Sequence, residues 1–400
     1  MRIGLLTTYL ALGDETDSGI GQHYRILADA LVAAGHQVHV VCATLDSAQL
    51  SAALAKLAPG WTYDMVPMRP PSWLAKLFPS TWTCQILLRH LWSAWAADRA
   101  LARACDRLKL EIVETHAYNA PALCFLHRCH RPTVLTRVST TLGQMIALST
   151  LRSRSLLCEA ALERYVTRCS DAVVTHTRQH RDTVCALEGY SARRFALVAH
   201  GIPDPGSSPS DLETGIEFLY VGRFEHRKGI DVLLAAIPLV AAALPQAKFT
   251  LAGGHGDGEE WNAFTNKNPE LINSRVYAPG RVSAETLTTY YRRCSILVAP
   301  SRYESFGLIY AEAMSHAKPV IGCAVGGVPE VVTDGVTGLL AAPGNVNELA
   351  ACMIRLATDA PLRQRMGQAA RNDFMNRFSA AKMAEASVEL YRELSSTTVI

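Results

Sequence analysis

"ILVAPSRYESFGLIYAEAMSHAKPVIG", residues 296–322, holds an apolar β-rich run, a polar loop, a helical segment and a second apolar run, in that order. Strand, loop, helix and strand in succession make one βαβ unit, whose two strands run parallel. Glu304 falls in the loop, and Glu312 falls on the helix between Ala311 and Ala313, whose small side chains leave room for a ligand. A carboxylate accepts hydrogen bonds from both hydroxyls of a vicinal diol, so two carboxylates on one segment can hold two sugars. Helix capping and plain surface charge are the alternative reading of the pair.

The same alternation extends in both directions. Before it come "RIGLLTT", a helical stretch at 19–34, "QVHVVCA", "LEIVETH", "TVLTRV", "DAVVTH" and "FALVAHG"; after residue 215 come "IEFLYVG", "AKFTLAG", "SILVAP", "KPVIG" and "TGLLAAP". Strands separated by helix-length segments predict parallel sheets covered on both faces. Between the two series lies "PDPGSSPSDLETG", residues 203–215, rich in Pro, Ser, Gly and Asp and without apolar period. It is the expected linker. A chain of 400 residues also exceeds the size at which one core stops growing. The expected architecture is α/β: two doubly wound domains, 1–203 and 204–375, with ligands at the carboxyl ends of the strands in a cleft between them. The segment 360–396 is helical by period and alanine content, has no strand to pair with, and is expected to cross back over the first domain, residues 376–400 forming the crossing helix.

Composition narrows the function. With 49% hydrophobic and 19% charged residues, the chain can fill two cores. A net charge of +3 is too small to call for nucleic acid, although it is unevenly spread: residues 1–205 hold 21 Lys and Arg against 16 Asp and Glu, residues 206–400 hold 18 against 20. That split is consistent with an anionic neighbour of the first half. Eleven cysteines without a C-x-x-C pair suit reduced thiols. "CFLHRCH" at 124–130 and "HTRQH" at 176–180 lack the second half that a zinc site needs, so no metal is expected. "MRIGLLTTYLAL" reads as a first strand, and no run approaches a membrane span, so a cytoplasmic protein is expected.

Three strand ends carry chemistry. In "SGIGQHYRILADAL" Gly19 and Gly21 allow a tight turn that offers N–H groups at a helix start, although a plain helix start explains them equally well. In "YVGRFEHRKGID" Gly222 ends a strand, Arg223 follows it, and Lys228 precedes Gly229 at a helix start. Two cations beside backbone donors suit a diphosphate without a metal, and an exposed basic turn is the plainer alternative. "TLAGGHGDGEEW" lacks the G-K-[ST] of a triphosphate loop and suits approach to a base or ribose.

The pair Glu304 and Glu312, with "GRFEHRKG", "VGGVPEVV" and the amino-terminal "SGIG", resembles the retaining glycosyltransferases of family 4, which adopt the GT-B fold of two Rossmann-like domains. The resemblance is specific over 218–345 and looser before residue 200. It implies a donor nucleotide diphosphate sugar, by default a uridine one carrying a hexose or N-acetylhexosamine, and no other cofactor. Arg223 and Lys228 would hold the diphosphate and Glu312 the ribose. Glu304 would engage the donor sugar, helped by the N–H groups of Ser305, Phe306 and Gly307 at the turn into Leu308. Gly19 and Gly21 would approach the diphosphate from the other domain, and His116 would stand near the sugar. "VAHGIPD" departs from the family's V-x-N-G-[IV]-D, with His200 for Asn and Pro203 inserted. The first domain would take a small-molecule, glycan or lipid-linked acceptor. A nucleotide-sugar epimerase and a non-catalytic nucleotide-sugar binding subunit are the alternatives.

Residues 61–95 hold five of the six tryptophans. Leu87, Leu88, Leu91, Trp95 and Asp98 follow a helical period, which predicts burial; exposed, the segment would meet a membrane surface, a lipid-linked acceptor or a partner subunit.

Overall fold

Runs of Val, Ile and Leu form the inner strands, which are buried along nearly their whole length, as parallel strands covered on both faces must be. The computed structural model describes residues 1–11, 19–44, 60–77, 82–148, 153–206, 215–254 and 258–397. The chain forms two compact units, Met1–Gly201 together with Ala380–Ile400, and Ile202–Ser379. Most of the expected linker, 207–214, lies outside the described residues.

The first unit contains a seven-stranded sheet of β1 (Arg2–Thr7), β2 (Gln37–Thr44), β3 (Thr62–Pro67), β4 (Ile112–His116), β5 (Thr133–Arg137), β6 (Ala172–Thr175) and β7 (Phe195–Leu197) in the order β3-β2-β1-β4-β5-β6-β7. Every neighbouring pair is parallel, with Leu5 opposite Val40 on one side and Glu114 on the other. On one face Tyr24, Leu27 and Leu31 of the helix Gly19–Ala33 pack with Met383, Ala384, Val388 and Tyr391 of the carboxyl-terminal helix Ala380–Thr397. That last helix therefore returns to the first unit. Glu114, fully buried on β4, binds Arg137 Nε at 2.7 Å and accepts a hydrogen bond from Tyr391 Oη at 2.5 Å, so a buried ion pair ties the helix down. Against the opposing effect of burial, Arg137 and, after it, His23 hold the Glu114 carboxyl down at about 2.

The opposite face is covered by the helix Trp82–Leu108, and here the expected burial needs correction. Leu91 is 50% exposed and Trp95 44%, while Ala94, Ala97, Ala100, Leu101 and Ala104 are fully buried. Helix packing against a sheet selects the stripe of small residues that lets the backbones come close, and the bulkier Leu and Trp stripe turns to water. Leu88 and Asp98 are buried, Asp98 through its pair with Arg128.

The second unit has six parallel strands, β8 (Glu217–Val221), β9 (Lys248–Ala252), β10 (Val276–Gly280), β11 (Ile296–Val298), β12 (Val320–Cys323) and β13 (Gly338–Ala341), in the order β10-β9-β8-β11-β12-β13. Its core joins Phe218 and Leu251 of the sheet to Ile237, Val240, Met353 and Leu356 of the covering helices. In both sheets the winding direction reverses once, between β1 and β4 and between β8 and β11. At such a reversal the two following loops leave the sheet in opposite directions and open a crevice at the carboxyl ends of the strands.

Candidate active site

The reversal between β8 and β11 gathers the charged residues of the second unit. β8 ends at Val221, and the N–H of Gly222 donates to Ala252 at 2.9 Å, which fixes the start of the loop. The chain then makes a short 3₁₀ turn, His226–Lys228, ended by Gly229 at φ +69°, and enters the helix Ile230–Ala243. A side chain on Gly229 would run into the Pro300 carbonyl. Only glycine combines that left-handed backbone with so close an approach, and the approach brings Lys228 to the loop that follows β11.

There Lys228 Nζ meets Glu304 Oε1 at 2.6 Å, and Ser301 Oγ donates to the same oxygen at 2.9 Å. Both side chains are largely buried. The loops are also stitched by Arg302. Its N–H donates to the Arg227 carbonyl at 2.8 Å, its Nη1 to the His226 carbonyl at 2.8 Å, and its guanidinium grips Asp231 at 2.6 and 2.7 Å. From the far side the loop after β12 closes in, with Gly327 N–H on the Glu304 carbonyl at 2.9 Å. Glu304 is thus held through both its backbone and its carboxylate.

Arg223 is 72% exposed at the strand tip and lies 3.2 Å from Glu225 Oε1, which also takes Arg227 at 2.7 Å. One carboxylate thereby orders two guanidinium groups. The turn Ser305-Phe306-Gly307 leads into the helix Leu308–Ser315, with Gly307 at φ +87° as its cap. The N–H groups of a helix's first turn have no partner within the helix and form a positive end beside the loop. Phe306 is buried against Phe378.

Glu312 stands about one turn in, partly exposed, with Oε2 accepting from Tyr291 Oη at 2.6 Å. Burial raises the Glu312 carboxyl above the ordinary range, and the Tyr291 hydrogen bond pulls the other way. Tyr291, buried on the helix Ala284–Arg293, stacks on His316 with ring centroids 5.7 Å apart. Gly222, Arg223, Lys228, Glu304, Ser305, Phe306, Gly307, Leu308 and Glu312 therefore belong to loops and helix starts at one end of one sheet.

Gly19, Gly21 and His116 belong to the first unit. Gly19 opens the helix Gly19–Ala33 with open space where a side chain would stand; Gly21 packs against the backbone of Leu10 and Ala11. His116 ends β4 at that sheet's own reversal, and its Nε2 accepts the N–H of Thr8 at 3.0 Å, which leaves the ring proton on Nδ1. Burial drives its pKa down to about 3, so the imidazole is neutral. Beside it lies a group of rings, His23, His176 and His180 buried and His200 half-buried: His176 stacks on His180 at 4.5 Å and on His200 at 4.7 Å, and His200 Nδ1 is 3.2 Å from His23 Nδ1. Among the described residues no group of three or more His, Cys, Asp or Glu side chains is arranged to hold a metal ion. The loop after β9 expected to approach the base includes residues 255–257, which lie outside the described residues.

Sequence reasoning did not find Tyr291, Ser301, Arg302 or Asp231. The available signal was the opposite charge of Asp231 and Arg302 on segments following strands that prove to be neighbours, a clue that needs the strand order first.

The fold is the GT-B architecture of glycosyltransferases. Sucrose-phosphate synthase from Thermosynechococcus elongatus superposes with a TM-score of 0.74 at 23% identity over 100% of both chains. The Anabaena protein HepE, solved in complex with UDP and glucose, superposes with a TM-score of 0.69 at 17% identity, covering 98% of this chain and 99% of its own. Family models match both halves, Glycosyltransferase Family 4 over residues 18–204 and Glycosyl transferases group 1 over 208–373. The chain belongs to glycosyltransferase family 4 and is a transferase enzyme. Among its relatives, the glycogen synthase of Mycobacterium tuberculosis is 26% identical over 390 residues, 93% of this chain and 90% of that protein. A D-inositol 3-phosphate glycosyltransferase from a Mycobacterium species is 28% identical over 377 residues, 90% of this chain and 82% of that protein.

Proposed function

We propose that the protein moves a hexosyl or N-acetylhexosaminyl group from a uridine diphosphate sugar to an acceptor hydroxyl, with retention of anomeric configuration and without a metal ion. The observation that carries this reading is the Lys228–Glu304 contact of 2.6 Å between the loops after β8 and β11. It joins a cation suited to phosphate with a carboxylate suited to sugar hydroxyls. An ammonium has three donors, so Lys228 can hold Glu304 and still bind phosphate oxygens. Arg223, at the tip of β8, supplies a second cation for the diphosphate. Glu312, with one oxygen taken by Tyr291, presents the other to the ribose hydroxyls.

The bond from the anomeric carbon to the diphosphate oxygen breaks, and the acceptor oxygen bonds to the same face of that carbon. The acceptor's proton leaves on the departing diphosphate. The site's task is to stabilise charge on that diphosphate, which fixed cations and the N–H dipoles of Ser305 to Leu308 perform without reorganising. HepE, whose solved complexes include UDP and UDP-glucose, agrees with uridine as the base.

The test is a panel of nucleotide sugars assayed for nucleotide release with and without acceptor. Release that needs the acceptor supports transfer and excludes an epimerase. Lys228→Ala is expected to lower turnover by about 10²–10³ with the fold intact; near-normal turnover would refute the assignment.

A further inference from the structure

Between Asp64 and Asp98 the chain has no acidic residue, while Arg69, Lys76 and Arg89 all fall within it. Large apolar side chains in this same stretch face water: Trp73 is 64% exposed, Leu77 71%, Leu91 50% and Trp95 44%. The fold of the first unit joins the two parts of this stretch at the start of the helix Trp82–Leu108. Gln85, in the first turn of the helix Trp82–Leu108, donates to the Ala75 carbonyl at 3.4 Å, which sets the turn Ser72–Ala75 beside that helix. Leu91, Trp95, Arg99 and Arg103 recur every four residues and form one outward stripe. Trp92 packs on Trp95 with centroids 4.9 Å apart, and the Arg99 guanidinium lies 5.4 Å over the Trp95 ring. Arg69, Lys76, Arg99 and Arg103 are exposed, whereas Asp98 faces inward and pairs with Arg128.

Tryptophan and leucine exposed among arginine and lysine combine the two forces that hold a protein on an anionic bilayer. Apolar side chains enter the boundary between headgroups and acyl chains, and cations pair with lipid phosphates. We propose that the surface made by Trp73, Leu77, Leu91 and Trp95, with Arg69, Lys76, Arg99 and Arg103, docks the first unit on an anionic lipid bilayer. A second copy fits this face poorly, because a two-fold contact sets each cation against its own kind. No described helix is long and apolar enough to cross a membrane, so the attachment is to the surface.

The test is co-sedimentation of the full chain with vesicles of phosphatidylcholine alone or mixed with phosphatidylglycerol; it needs no turnover and so stands apart from the donor assignment. Binding is expected only with phosphatidylglycerol and is expected to weaken in salt. Trp73→Ser combined with Trp95→Ser should lower the bound fraction about tenfold. Trp73→Ser with Leu77→Ser, which alters two strongly exposed side chains, should lower it too and guards against a folding defect at Trp95. No sedimentation, equal sedimentation with neutral vesicles, or variants that bind like the parent would overturn the proposal. So would a dimer, seen by sedimentation velocity, that the same substitutions disperse, since it would put a second copy on this face.

Discussion

Arg302 and Asp231 form a two-pronged ion pair, at 2.6 and 2.7 Å, that locks the loop carrying Glu304 to the start of the helix that follows Lys228. Neither residue bears charge needed for transfer in the proposed site. Their effect is to fix the distance between Lys228 and Glu304. Arg302→Leu is expected to cut kcat by about 10- to 100-fold, because displacement by an ångström or so of a preorganised group has that scale of effect. Arg302→Lys, which keeps charge but cannot make the fork, should recover only part of the loss. Steady-state kinetics beside a thermal melt checks this, and a lysine variant equal to the parent would show that geometry is not limiting.

Tyr291→Phe removes the hydroxyl that fills Glu312 Oε2 and leaves the stacked ring in place. Burial already raises the Glu312 carboxyl, and Tyr291 is the group that lowers it, so the variant should protonate Glu312 at still higher pH. The expected result is a several-fold rise in donor KM, steepest on the acid side, with kcat less changed. An unaltered pH profile of KM would remove Tyr291 from donor binding.

Chelation is expected to leave turnover intact, since Arg223 and Lys228 carry the positive charge in the proposed site. An assay in excess EDTA checks it. Full loss of activity restored by manganese would transfer the electrostatic role to a metal ion.

Acid should weaken the first unit above the pH at which ordinary carboxylates are protonated. Burial lowers His23, His90 and His180 to about 4 and His116 to about 3, from an ordinary value of 6.5. A group with a depressed folded pKa favours folding above its unfolded pKa, and that contribution is lost as pH falls from 6.5 toward the folded values. Glu163, raised by burial to about 8, and Glu159, raised as well, act in the opposite sense, two carboxyls against these four imidazoles and the likewise lowered His36, His39 and His200. Tm is therefore expected to fall between neutral pH and about pH 5, and His180→Gln, which keeps one polar partner for Gln144, should flatten the decline. A Tm independent of pH over this range would contradict the buried-histidine account.

The architecture was legible because parallel strands buried on both faces leave continuous apolar runs such as "ILVAP", which alternation with helices converts into βαβ units. Glu304 and Glu312 were legible because both follow one strand, within a single unit. Arg302 and Asp231 were not, since 71 positions separate them and their meeting depends on β8 and β11 becoming neighbours. The helix Trp82–Leu108 misled for a different reason. Hydrophobicity ranks Leu and Trp above Ala, whereas close packing on a sheet rewards the smaller side chain.

The chain leaves the first unit at Gly201 and re-enters it only at Ala380, after the whole second unit has been laid down. On a ribosome the second unit can therefore reach its final form while the first still lacks Met383, Val388 and Tyr391, and Glu114 and Arg137 wait without their cover. A chain cut after Ser379 should keep a stable second unit and a loosened first one, so the last helix acts as the closing stitch of the earliest-made part of the molecule.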